Sequence, residues 1–172
     1  MGLRGRHNSP NMPVETASFL VVRLGGSYFA LPAAGVRGLL TQAEAGYEQV
    51  VTAMGTVYQL TDLAQRLSVV ADLSGPYMRM VLYSTERIHG AIRVEQVVGL
   101  VEVARKDCLP LPLQFQRDER SWFGGMVLYA DLLVLILNPL WALGESPGVT
   151  AVSVWQAEQP IAETPITVGG SC

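Results

Sequence analysis

A chain of 172 residues, 49% hydrophobic and only 16% charged, is long enough for one domain with a substantial core, too short for two ordinary ones, and too apolar to be disordered throughout. Its 12 Lys and Arg against 15 Asp and Glu are scattered singly, which excludes the clustered cationic surface that a phosphate backbone requires, so no nucleic-acid partner is expected. Two cysteines, Cys108 and Cys172, and two histidines, His7 and His89, make no disulfide framework and no zinc-ligand spacing; no metal or cofactor is expected, and a reducing cytoplasm fits.

In chain order, residues 1–17 are rich in Pro, Asn and Gly and read as a disordered tail; MGLRGRHNSPNMP has two arginines but no apolar segment after them, unlike a secretory signal. The stretch FLVVRLGGSYFALP then reads as strands over 19–24 and 28–31 joined at Gly25-Gly26. Leu20, Val22 and Leu24 alternate onto one side, yet Phe19 and Val21 are apolar on the other, so both faces need cover. Pro32 to Leu40 reads as a short helical piece, with Pro at its first position and apolar side chains at Val36, Leu39 and Leu40. Strands follow over 50–54 and 56–60, then a short helix in TDLAQRL capped by Thr61 or Asp62. Further strands fall at 79–84, 88–94, 96–103, 122–128 and 132–137. A last helical piece, NPLWAL, has Asn138 as N-cap and Pro139 at the first helical position. The apolar run LLVLIL is far short of the roughly 20 residues of a membrane helix. Residues 145–172 carry no base and several prolines and glycines, and read as a flexible tail, although VSVWQ around Trp155 has the character to dock back. Between the tails the period of two, in runs of four to eight residues, predicts an all-β barrel or sandwich.

The residues available for chemistry do not converge. Cys108 reads as a small buried residue, and His89, with no neighbouring acid or thiol, as a solvated or edge position. The Gly-Gly pairs lack the spacing of a phosphate loop. Asp118-Glu119 between Arg117 and Arg120 is a solvated charged loop. An enzyme is therefore not expected. The surplus of apolar residues calls instead for a second lobe, a protein-binding groove, or both.

The order of these motifs resembles the CheW-like domain, the adaptor of bacterial chemosensory arrays, over residues 18–144. FLVVRLGGSYFALPAAGVRGLL is similar to the family's opening strands and Val-containing turn. VVTAMGTVYQLTDLAQRL matches its Gly and Asp-Leu positions at Gly55, Asp62 and Leu63. HGAIRVEQVVGLVEVARKDCLPLP matches an acid-x-Val, Gly, Val and Pro-x-Pro series at Glu95, Val97, Gly99, Val101, Pro110 and Pro112, and FGGMVLYADLLVLILNPLWAL the closing hairpin and helix. The resemblance implies two interlocked five-stranded SH3-like β-barrel lobes with short helical pieces. Phe19 or Val21 would face the seam between them. It implies no enzymatic activity and no cofactor, and two partners: the regulatory domain of a CheA-type histidine kinase and the cytoplasmic tip of a chemoreceptor. The protein would be cytoplasmic and reach membranes only indirectly, through receptors. Carried over by position, Val36 and Leu39 face the receptor, and Ala53 and Met54 form the other wall of that groove; Leu40 points to the core. Kinase-binding residues are not assigned. The family's Asn-x-Arg-Gly run is Thr52-Ala53-Met54-Gly55 in this chain, with Met54 at the Arg position, and the acid of acid-x-Val is Glu95 where Asp is usual. Loss of the guanidinium raises an alternative, a divergent CheW-like protein without ordinary receptor binding that fills an array or scaffolds another partner.

Overall fold

The structure is a computed structural model and describes residues 12–145; Trp155 and Cys172, in the tail expected to be flexible, lie outside the described residues. In chain order the strands are β1 (Thr16–Leu24), β2 (Ser27–Pro32), β3 (Val36–Thr41), β4 (Val50–Ala53), β5 (Thr56–Thr61), β6 (Arg79–Ser84), β7 (His89–Val94), β8 (Gln96–Ala104), β9 (Phe123–Tyr129) and β10 (Leu132–Leu137). Four short helices, α1 (Gln42–Ala45), α2 (Leu63–Leu67), α3 (Glu119–Trp122) and α4 (Pro139–Ala142), punctuate them. The strands form two five-stranded sheets, β8-β1-β2-β10-β9 and β3-β6-β7-β5-β4. The first draws on both ends of the chain and the second on its middle. The middle lobe is thus an insertion between β2 and β8 of the terminal lobe.

Hairpin chemistry explains much of this pairing. Three two-residue turns connect Leu24 to Ser27, Ala53 to Thr56 and Tyr129 to Leu132, and in each both central residues have positive φ: Gly25 and Gly26 at 60° and 78°, Met54 and Gly55 at 50° and 76°, Ala130 and Asp131 at 47° and 62°. This turn geometry matches the twist of the flanking strands. It suits glycine and costs a residue with a Cβ roughly 1 kcal/mol. Replacing Ala130 by Gly or Asn is therefore expected to raise stability by about 0.5–1 kcal/mol, read as a higher denaturant midpoint with unchanged slope.

The apolar surplus is sorted by face. Leu20, Val22 and Leu24 of β1 join Phe29, Leu31, Val81, Tyr83, Ile92, Val94, Leu137 and Trp141 in a central cluster to which both sheets contribute. Phe19 and Val21 turn the other way, into a second cluster with Ala30, Cys108, Val127, Val134 and Ile136, all from the terminal lobe. A third cluster, of Ala45, Val51, Tyr58, Met80, Leu82 and Ala91, fills the middle lobe. The expectation that Phe19 or Val21 faces the seam is thus corrected. The alternate set faces the seam, and each sheet curls around an interior of its own.

The other correction concerns Pro32–Leu40. Only Ala33–Gly35 forms a helical turn, of 3-10 type, and Val36–Thr41 is a strand paired with β6. Spacing at 36, 39 and 40 imitates a helix because a β-bulge lies between Val36 and Gly38, and a bulge adds the extra residue that brings positions three apart onto one face. The other expected helices form, each capped as its sequence predicts: Asp62 accepts from Gln65 N at 2.9 Å and Asn138 from Leu140 N at 3.2 Å. A capping box between Thr41 and Glu44 starts α1, and the Glu44 carboxyl, which accepts from both Thr41 N and Thr41 Oγ1 at 2.8 Å, is held below its ordinary range by them.

Candidate protein-interaction surface

Val36 and Leu39 lie on β3, at one edge of the middle sheet. Their cross-strand partners are Tyr83 and Val81, both members of the central cluster, so the bulge aims Val36 and Leu39 at the same side. Val36 is half-buried against that cluster, whereas Leu39 is 44% exposed. Leu40, opposite Met80, points into the interior of the lobe. Ala53 and Met54 belong to the other edge, with β6, β7 and β5 between. Ala53 packs half-buried on the interior cluster, and Met54, at the tip of the β4–β5 turn, is 78% exposed. The four residues thus form two sets on opposite edges: an apolar pair on β3, and one exposed thioether at a hairpin tip.

Two further exposed apolar residues, Val50 and Val57, lie on the same β4–β5 hairpin as the second set and were not singled out from sequence. Val51 and Tyr58, paired across β4 and β5, point inward; Val50 and Val57 occupy the alternate, outward positions. The signal was present as a hairpin apolar on both faces. A hairpin at a sheet edge with one covered face leaves the other available to a partner.

The lobes are held in a fixed relation by polar contacts that cross the seam. Glu95, between β7 and β8 where the chain returns to the terminal lobe, accepts hydrogen bonds through Oε1 from Gly25 N at 3.1 Å and Asp72 N at 2.9 Å, while Oε2 lies 3.8 Å from the Arg23 guanidinium. One carboxylate thereby ties the β1–β2 hairpin to the loop after α2. The Tyr83 hydroxyl donates to Pro32 O at 2.8 Å, and burial pushes its ionisation well above the ordinary value, despite the opposing influence of Arg37. On the far side, Trp141 of α4 stacks on Trp122 at 5.0 Å and lies under the Arg66 guanidinium of α2 at 4.8 Å. Leu143 packs over Gly90, where a Cβ would meet its side chain, and its carbonyl accepts from Thr61 Oγ1 at 3.3 Å.

The groups considered for chemistry sit apart from one another. Cys108 is buried and its thiol pushed up, mainly by burial. His89 is exposed on β7, with Nδ1 2.8 Å from Ser84 Oγ and its ring edge-on to Tyr58. Glu119 accepts from Gln116 N at 2.8 Å, and Arg120 donates to the carbonyls of Phe115 and Pro112; that charged loop is tied internally. Among the described residues no group of three His, Cys, Asp or Glu is placed to hold a metal ion, and no helix is long and apolar enough to cross a membrane.

The family model of the CheW-like domain matches residues 18–144. Among solved structures, the scaffolding protein TtCheW from Thermoanaerobacter tengcongensis is similar in fold, with a TM-score of 0.63 at 13% sequence identity, covering 77% of this chain and 90% of that one. No curated protein matches this sequence.

Proposed function

Because this chain belongs to the CheW-like domain family, whose members are non-catalytic scaffolds of chemosensory signalling, we propose that it couples a CheA-type histidine kinase to chemoreceptors in a bacterial array serving chemotaxis or pilus-type motility. Residues 18–144 are the adaptor unit, working in the cytoplasm and reaching the membrane only through receptors. The observation that supports this most is the pair Val36 and Leu39, set on one face of a strand that is at the sheet edge among the described residues, with Leu39 open to solvent. Such an edge suits the apolar stripe of a helical receptor tip.

The test uses Leu39→Asp. Leu39 is partly exposed, so the fold should lose no more than about 1 kcal/mol. A carboxylate desolvated on docking should weaken binding of a receptor-tip fragment at least tenfold, about 1.4 kcal/mol, and leave binding of the kinase regulatory domain unchanged. Unchanged receptor affinity would remove the β3 edge from the interface.

Met54 favours a second function. With a thioether at an exposed hairpin tip in place of the family's guanidinium, the receptor contact loses a charge pair. The leading reading expects wild-type binding to a receptor fragment that changes little between 0.05 and 0.5 M salt, screening being felt only by charges (Debye length about 10 Å at 0.1 M). The alternative, an array filler or a scaffold for another partner, expects no measurable receptor binding until Met54→Arg restores the charge. Titration of the two chains at both salt concentrations separates them.

A further inference from the structure

The two edges of the terminal sheet, β8 and β9, face one another across an incomplete closure. Leu109 and Met126 exchange two backbone hydrogen bonds of 2.8 Å, and this isolated bridge is what joins the segment after β8 to β9. Beside the bridge the edges part, and a groove of about 590 Å³ opens between residues 101–104 of β8 and residues 128–130 of β9 and its turn. Edge strands present backbone N–H and C=O groups that are unpaired on their outer side. The side chains are sorted by face: Val101, Val103 and Tyr129 belong to the periphery of the lobe's interior, while Glu102 and Leu128 point to solvent and Leu128 is 64% exposed.

We propose that this groove is a docking site for an extended segment of a partner protein, which adds between β8 and β9 as a sixth strand. Alternation of the walls sets the chemistry of the guest. Every second residue is apolar and meets Val101, Val103 and Tyr129; the residues between face outward beside Asp107 and Glu102, whose Oε1 also accepts from Thr16 Oγ1 at 3.0 Å, against the Lys106 ammonium, with the Arg105 guanidinium turned to Glu15 at 4.0 Å, and carry basic side chains. Backbone pairing gives affinity and the alternating pockets give selectivity, and the volume is in the range of ordinary ligand sites. The site lies on the terminal lobe, away from β3 and β4, and does not depend on the function proposed above.

The probe is a dye-labelled heptapeptide alternating valine with lysine and threonine, titrated by fluorescence anisotropy against the full 172-residue chain. Saturable binding is expected. It should fall tenfold or more in the double variant Glu102→Lys/Asp107→Lys, provided the variant melts as wild type, and a glutamate-for-lysine peptide should instead prefer that variant. A peptide N-methylated at alternate amides, unable to donate to a strand edge, should not bind. No saturable binding, equal binding of the N-methylated peptide, or indifference to the charge reversal each overturns the proposal. It is also overturned if the chain self-associates in a way that the peptide competes with, because a second copy then fills the groove. Tighter peptide binding after removal of residues 1–11 or 146–172 would overturn it too, by making the occupant the chain's own.

Discussion

Gly35→Ala is expected to cost roughly 3 kcal/mol or more and to lower the melting temperature by many degrees. Gly35 is buried in the 3-10 turn between β2 and β3, and a Cβ there would overlap the Tyr83 ring. The ring cannot retreat cheaply: it is 2% exposed, packed in the central cluster, and anchored by its hydroxyl to Pro32 O. Overpacking a filled core costs about 1–3 kcal/mol, and a lost hydrogen bond at a buried carbonyl adds about 1. The mechanism has its own control. In a Tyr83→Leu background, itself destabilised, the Gly35→Ala substitution should cost much less, because the two changes share one contact and cannot add. Tyr83 also predicts an alkaline limit. Its raised ionisation means that its contribution is fully present below the unfolded value, about 10, and declines as pH rises above it. The difference in stability between wild type and Tyr83→Phe should shrink accordingly. A constant difference up to pH 11 would contradict the burial argument.

Glu95→Ala is expected to cost about 2–4 kcal/mol, because the backbone N–H groups of Gly25 and Asp72 lose a charged acceptor together. Glu95→Gln should cost about 1 kcal/mol, since an amide oxygen still accepts from both donors. The readout is urea unfolding of the three proteins. Equal losses for Gln and Ala would mean that the ion pair with Arg23, which is 47% exposed, matters more than the backbone contacts. An exposed pair of that kind is worth at most about 1 kcal/mol, so the alanine variant should lose clearly more than the glutamine variant.

These residues mark how far the sequence can be read. Nine of the ten strands follow from alternation and glycine turns, because half-buried strands carry that period directly. The tenth, β3, does not, since a bulge disguises its period and Pro32 supplies a false helix start. Alternation in β1 says that two faces are apolar, but not which faces the seam; that depends on how each sheet curls, which contacts between distant strands decide. Val36 and Leu39 were singled out by resemblance alone, and the face they share is a product of the bulge. Glu95 was legible only as a position in a motif. Its partners lie 70 and 23 residues away, and no local pattern encodes such distances. Met54 was read as the replacement for an arginine. That it occupies a left-handed turn position follows from a pairing of Ala53 with Thr56 that leaves only two residues for the turn.

The adaptor reading predicts coexisting interactions: one chain must hold the kinase and the receptor at once. The measurement is analytical ultracentrifugation of the 172-residue chain with the regulatory domain of a CheA-type kinase and a trimer-forming chemoreceptor tip fragment, from the same organism, singly and together. A binary complex with each and a ternary complex with both are expected, and Leu39→Asp should remove the receptor fragment alone. Mutually exclusive binding, or a chain that sediments alone in every mixture, would contradict it.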